Sequence, residues 1–173
     1  RAAVDRARAD LAHLQAFEIR PIGEIETRVV NEEDWAEAWK EHFPVMRVGH
    51  RLVIRPTWRE HAAAAGDVVI SLDPGMAFGT AQHGTTRACL ALLAGLPVVP
   101  GGLVDAGCGS GVLSIAARRL GFDPVWAFDF DPLAVDATIA NARRNGVGLR
   151  VGRRTIGADT LPSAPTVVAN LTA

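Results

Sequence analysis

The sequence predicts a doubly wound α/β fold on three observations. From residue 102 onward, short apolar runs alternate with helix-patterned segments. The first run opens into a glycine-rich turn, and the second ends on acidic residues. Strand–helix alternation of this kind builds a parallel sheet with right-handed crossovers.

Taken in order, residues 1–16 carry Val4, Ala7, Leu11 and Leu14 at helical spacing and read as an amphipathic helix. Residues 17–30 alternate loosely and suit short strands split near Pro21–Gly23. A second helix follows, capped by Asn31, with acidic residues in its first turn and Trp35 and Trp39 on one face as core packing. Arg51 to Pro56 and Val68 to Leu72 are β-like, and a helix runs from His83 to Leu93 and closes at Gly95. LVDAG (103–107) is then a buried strand, and VLSIAARRL (112–120) a helix stopped by Gly121. PVWAFDF (124–130) is the second strand, and a helix capped by Asp131 with Pro132 first runs to Arg144, ending at Asn145–Gly146. LRV (149–151) is a weak third strand and TVVAN (166–170) a fourth, giving an expected order of 3-2-1-4.

Composition narrows the function classes. The 173 residues are 49% hydrophobic and 21% charged, with a net charge of −1, which is globular and offers no overall positive field for nucleic acid or anionic lipid. Cys89 and Cys108 stand in no CxxC spacing, so neither a disulfide scaffold nor a metal site is expected, and a reducing cytoplasm fits. The longest uncharged run, Ala88 to Val104, is broken by Gly95, Pro97, Pro100, Gly101 and Gly102, so no membrane span is expected. The chain starts at Arg1 and its first methionine is Met46, which reads as a piece of something longer.

The chemistry concentrates in Asp105-Ala-Gly107-Cys-Gly109-Ser-Gly111. Glycines let the backbone approach a ligand, and the following helix start aims free N–H groups at it. GxGxG lacks the last glycine of the dinucleotide pattern GxGxxG, which favours a ligand without a pyrophosphate. Asp129 closes the second strand, where a carboxylate accepts from ribose hydroxyls. Asn170 ends the fourth strand, where an amide oxygen could accept from an amine; a satisfied loop asparagine is the competing reading. Asp131 reads as a helix cap, and Cys108 as a small loop filler in preference to a reactive thiol. The block Asp73 to Thr86 suits a loop folded over a ligand, although helix capping by Thr80 or Thr85 explains its threonines equally well. His83 there is a general-base candidate, but a structural hydrogen bond is the favoured reading. Arg143, Arg144, Arg150, Arg153 and Arg154 form either an RNA-facing patch or a solvated face, and the absence of interleaved aromatics favours the latter.

These residues carry a family resemblance. EDWAEAWKEHF, RVGHRLVIRPTW, LDPGMAFGTAQHGTT, DAGCGSGVLSIAA, FDFDPLAV and VVANL resemble, from about Glu33 to Asn170, the bacterial ribosomal protein L11 methyltransferases, the PrmA family. The LDPGxAFGT…H.TT block is far more specific than any GxGxG. The resemblance implies an incomplete Rossmann-like class I sheet using S-adenosyl-L-methionine (SAM), preceded by an α+β linker segment. Residues 1–30 would be the tail of an N-terminal substrate-recognition domain or a linker, 31–81 an interdomain segment with the SAM-covering loop, and 82–173 the first part of the SAM-binding domain.

It further implies methylation of lysine side chains or the N-terminal amine of ribosomal protein L11, with no direct nucleic-acid or membrane partner. Thr86, Asp105, Gly107, Gly109, Asp129 and Asn170 would contact SAM, with Phe78, Gly79, Thr80 and His83 lining the pocket and Asn170 orienting the amine. No side chain is assigned as a base. The family's FGTGTHPTT has Ala81, Gln82 and Gly84 at its variable places here, and its NILA is Asn170-Leu-Thr-Ala, so amine positioning is less closely specified than SAM binding. Three further strands are expected downstream, and the chain alone is expected to bind SAM weakly with little or no turnover. Another acceptor, or a non-catalytic SAM-binding module, are the alternatives; transfer of label from SAM to candidate proteins separates them.

Overall fold

The computed structural model describes residues 6, 40–41, 43–73 and 83–171. The expected helix over 1–16, the strands in 17–30, the helix carrying Trp35 and Trp39, and Phe78, Gly79 and Thr80 lie outside the described residues. The chain divides into two compact units, Arg1–Lys40 and Glu41–Ala173, and the elements below belong to the second.

A small sheet comes first, made of β1 (Met46–Val48), β2 (Leu52–Pro56) and β3 (Val68–Leu72) in that spatial order. β1 runs antiparallel to β2, with Met46 opposite Ile54, and β2 runs parallel to β3, with Leu52 opposite Val68. The β-branched runs of β2 and β3 make both strands legible. β1 was not expected, because three residues are too few to show a period. The Arg47 guanidinium forks onto the Asp67 carboxylate at 2.7 and 2.8 Å, and Asp67 also accepts from the Ala64 N–H. Arg47 first, then that N–H, holds the Asp67 carboxyl well below the usual range, at about 2.

Helix α1 (Gly84–Gly95) leads into the main layer, β4 (Leu103–Ala106), α2 (Val112–Leu120), β5 (Val125–Asp129), α3 (Pro132–Arg144), β6 (Arg150–Arg153) and β7 (Thr166–Ala169). The four strands lie in the order β6-β5-β4-β7, all parallel, as expected. Leu103 stands opposite both Val125 and Thr166, and Asp105 opposite both Ala127 and Val168. β6 sits slightly later than LRV because its pairing runs from Trp126–Arg150 to Asp129–Arg153. It is an edge strand, so it tolerates arginines, and Arg150 lies 5.2 Å over the Trp126 ring.

The largest core joins both sheets to α1 and α2: Leu52, Ile54, Ile70 and Leu72 meet Leu90, Leu93, Leu103, Ile115, Phe122 and Val125. Each such side chain contributes roughly 1.5–3 kcal/mol by leaving water. α2 ends where expected: the Phe122 N–H reaches back to the Ala117 carbonyl at 3.1 Å, and its ring is fully buried beyond Gly121. α3 starts where expected, with Asp131 Oδ1 accepting from the Leu133 N–H at 2.9 Å. Among the described residues, no helix is long and apolar enough to cross a membrane.

Candidate functional site

In a parallel sheet all carboxyl ends face one edge, and the chain reverses its lateral direction between β4 and β7. Ligand sites in such sheets form outside that switch point. A cleft of about 520 Å³ lies there, within the range of small-molecule sites. Its walls include Thr86, Gly107, Cys108, Gly109, Asp129 and Asn170.

The glycine-rich loop is fastened to β5. The Gly107 and Cys108 N–H groups both donate to the Phe128 carbonyl, at 2.9 and 3.0 Å. At Gly107, with φ +74°, a Cβ would fall 2.1 Å from Leu171 Cδ2, so the loop closes against the residue after Asn170. α2 begins after Gly111 with no side-chain cap from that residue; the Ser114 N–H of its first turn is engaged by the buried Asp105 carboxylate, while Val112 and Leu113 line the cleft.

Asp129 is buried, and its carboxylate accepts from the Gly109 N–H at 3.0 Å and the Asp131 N–H at 3.1 Å. It therefore fixes the loop on one side while remaining in the cleft wall. Asn170 Nδ2 donates to Thr86 Oγ1 at 2.9 Å, which joins the end of β7 to α1 and leaves Oδ1 as the atom for a ligand. Phe130, Ile156 and Leu171 line the same cleft although they are 69%, 56% and 53% exposed. Large apolar side chains left in water beside a carboxylate and an amide suit a ligand with a flat apolar part and hydroxyl groups.

Several expected residues stand elsewhere. Asp105 is fully buried and is not in the cleft wall; Ser114 Oγ donates to its Oδ2 at 2.5 Å, and its Oδ1 has no partner among the described residues. That limits it to supporting the loop from beneath. His83 caps α1 and is likewise absent from the wall: its Nδ1 lies 2.8 Å from Thr85 Oγ1 and accepts from the Thr85 N–H. Burial pushes the Cys108 thiol up to about 12, and its sulfur lies 3.2 Å from Thr138 Oγ1, so it packs and is no ready nucleophile. Of the arginine group, Arg144 bonds Asn141, Arg153 bonds the Phe130 carbonyl, and Arg154 bonds the Thr160 carbonyl.

Sequence reasoning missed Phe130, Arg154, Thr155, Ile156 and Leu171, all in the wall. Phe130 had a signal, a large apolar residue between two acidic ones where a strand ends. Ile156 had none, because the β6–β7 connection carries no pattern.

Burial, with a smaller push from Asp129, raises the Asp105 carboxyl to about 6 from 3.8. Between those values the unfolded chain binds fewer protons than the folded one, so this group's contribution falls as pH rises from about 4 to 6. Asp105→Asn is therefore expected to melt about 3 °C or more above the parent at pH 8, and together with it near pH 4. Differential scanning calorimetry at both pH values checks this; an equal difference at both would refute it.

The comparisons with known proteins point one way. A family model described as "Ribosomal protein L11 methyltransferase (PrmA)" matches residues 3–173. The ribosomal protein L11 methyltransferase of Chloroflexus aurantiacus is 51% identical over 149 residues, 84% of this chain and 45% of that protein. Its counterpart in Symbiobacterium thermophilum is 44% identical over 169 residues, 97% of this chain and 55% of that protein. A crystal structure of the ribosomal protein L11 methylase of Lactobacillus delbrueckii subsp. bulgaricus superposes with a TM-score of 0.69 at 32% identity, covering 76% of this chain and 68% of the other. The chain spans about half the length of the curated relatives it matches.

Proposed function

The chain belongs to the ribosomal protein L11 methyltransferase (PrmA) family, and from that premise we propose that it holds SAM in the cleft and serves methyl transfer to amines of ribosomal protein L11. The observation that carries this reading is the convergence of Gly107, Asp129, Thr86 and Asn170 on one cleft with exposed apolar walls. Bound SAM supplies a methyl group already activated on a sulfonium, so the site needs positioning more than acid–base chemistry.

The residues divide that work. Asp129 offers carboxylate lone pairs to ribose hydroxyls while its two backbone bonds hold it still. Gly107 and Gly109 let the backbone come close, and the uncapped start of α2 favours a carboxylate. Phe130, Ile156 and Leu171 exclude water around an aromatic ring. Thr86 steadies the Asn170 amide, whose Oδ1 accepts from a neutral lysine amine and aims its lone pair. A dry wall lowers the pKa of that lysine and eases loss of its proton. Phe78, Gly79 and Thr80 complete the pocket in this proposal, with Asp105 and His83 acting on it through the glycine-rich loop and the α1 start. The cytoplasm is the proposed compartment, with no nucleic-acid or membrane partner and no metal.

Orientation of a nucleophile contributes several kcal/mol to such reactions, so Asn170→Ala is expected to lower kcat at least ~100-fold. SAM affinity should change by less than about fivefold, since only one wall contact is lost. Turnover with L11 and SAM titration on the same variant separate the two effects. Full turnover with SAM bound would end the orienting role.

A further inference from the structure

A polar ladder on the buried side of α3 joins the glycine-rich loop to the end of β3. Thr138, Asn141 and Asn145 follow one another at spacings of three and four, and all are buried. Thr138 Oγ1 donates to the Gly109 carbonyl at 3.0 Å. Asn145 takes the Ser71 N–H onto Oδ1 at 2.8 Å and donates from Nδ2 to the Ser71 carbonyl at 2.7 Å.

Asn141 does the same for Asp73, accepting its N–H at 3.1 Å and donating to its carbonyl at 3.2 Å. Ser71 and Asp73 alternate along the strand, so both turn the same edge outward. β3 is an outer strand of its sheet, and the two asparagine amides pair with that edge as a neighbouring strand would. Asn141 goes further: its second Nδ2 hydrogen reaches the Ser110 carbonyl at 2.9 Å, and its Oδ1 also accepts from Arg144 at 2.8 Å. All four positions of the amide are used. A leucine would fill the same volume, so packing does not explain an amide at this place.

We propose that Asn141 is a positioning residue for the cleft: it sets the glycine-rich loop against the end of β3, the strand from which the chain returns to the site at Thr86. The inference rests on the reading of the cleft as a SAM site. Asn141→Asp keeps shape and the Oδ1 acceptor but turns both Nδ2 donations into contacts between a carboxylate and carbonyl oxygens. Asn141→Leu, similar in size and uncharged, repeats the measurement if the buried carboxylate unfolds the protein. Asn145→Asp loosens β3 without touching the loop and serves as the stability control.

The experiment uses the full-length protein, with SAM and L11 for kinetics and S-adenosylhomocysteine for calorimetric titration. Both Asn141 variants are expected to raise KM for SAM and Kd for S-adenosylhomocysteine about tenfold or more, with kcat within about threefold. Asn145→Asp should lower Tm with Kd within about twofold of the parent. Unchanged Kd in the Asn141 variants, a loss confined to kcat, or an equal loss in Asn145→Asp would overturn the inference. If the parent binds no SAM, the reading of the cleft fails, and hydrogen exchange decides the ladder separately. Faster exchange at both 109–112 and 71–73 in Asn141→Leu than in Asn145→Asp then supports it, and a change at one segment or neither overturns it.

Discussion

Replacing Asp129 by alanine is expected to weaken SAM binding at least ~100-fold, the loss of about 2.7 kcal/mol. The carboxylate has three tasks in the proposed site, and alanine removes them together. It accepts from the Gly109 N–H, from the Asp131 N–H, and from the ligand's ribose. Hydrogen bonds to a charged group contribute roughly 1.5–3 kcal/mol each, so two orphaned backbone donors alone would loosen the loop and the start of α3. Asp129→Asn keeps one acceptor oxygen and should fall between parent and alanine. Titration calorimetry with SAM, beside a melting curve to separate affinity from stability, checks the order. Equal affinity in all three proteins would show that the ligand does not use this strand end.

The largest expected loss of stability is at Gly102, just before β4. Its φ is +81°, and a Cβ there would lie 2.0 Å from the Pro124 carbonyl oxygen. That oxygen accepts from the Leu103 N–H at 2.9 Å, beside the opening Leu103–Val125 pair of the β4–β5 register. At Gly107 the obstructing atom is a leucine methyl that can turn aside; at Gly102 it is backbone. The left-handed conformation alone costs an alanine about 1–2 kcal/mol, and displacing the carbonyl brings the expected loss for Gly102→Ala to at least ~3 kcal/mol. Urea unfolding of parent and variant measures it. A loss below about 1 kcal/mol would mean that the strand start yields easily.

Much of this architecture was legible because its signals are local. Asp131-Pro132 and Gly121 mark helix ends by their own chemistry, and three of the four strands of the main sheet are apolar runs, in the order the doubly wound class predicts. β1 was not legible, because its pairing comes from the Leu52–Pro56 strand rather than from its own three residues. In the site, Asp129 and Asn170 announced themselves as polar residues at strand ends. Asp105 stood in the same motif yet lies beneath the loop, since alternation along β4 turns it to the helix-covered face with Ser114. Ile156 reaches the cleft only through the fold, with no expected site residue beside it in sequence, whereas Leu171 follows Asn170 directly. Asn141 was hidden for the same reason: its partners Asp73 and Ser110 lie far away along the chain.

The decisive test is methyl transfer itself. Full-length protein is incubated with methyl-tritiated SAM and purified ribosomal protein L11, with Asp129→Ala in parallel, and label is located by mass spectrometry of L11 peptides. The expected result is label on L11 amines with the parent and a loss of at least ~100-fold with the variant at limiting SAM. SAM bound by the parent with no label on L11, or equal labelling by the variant, would contradict it.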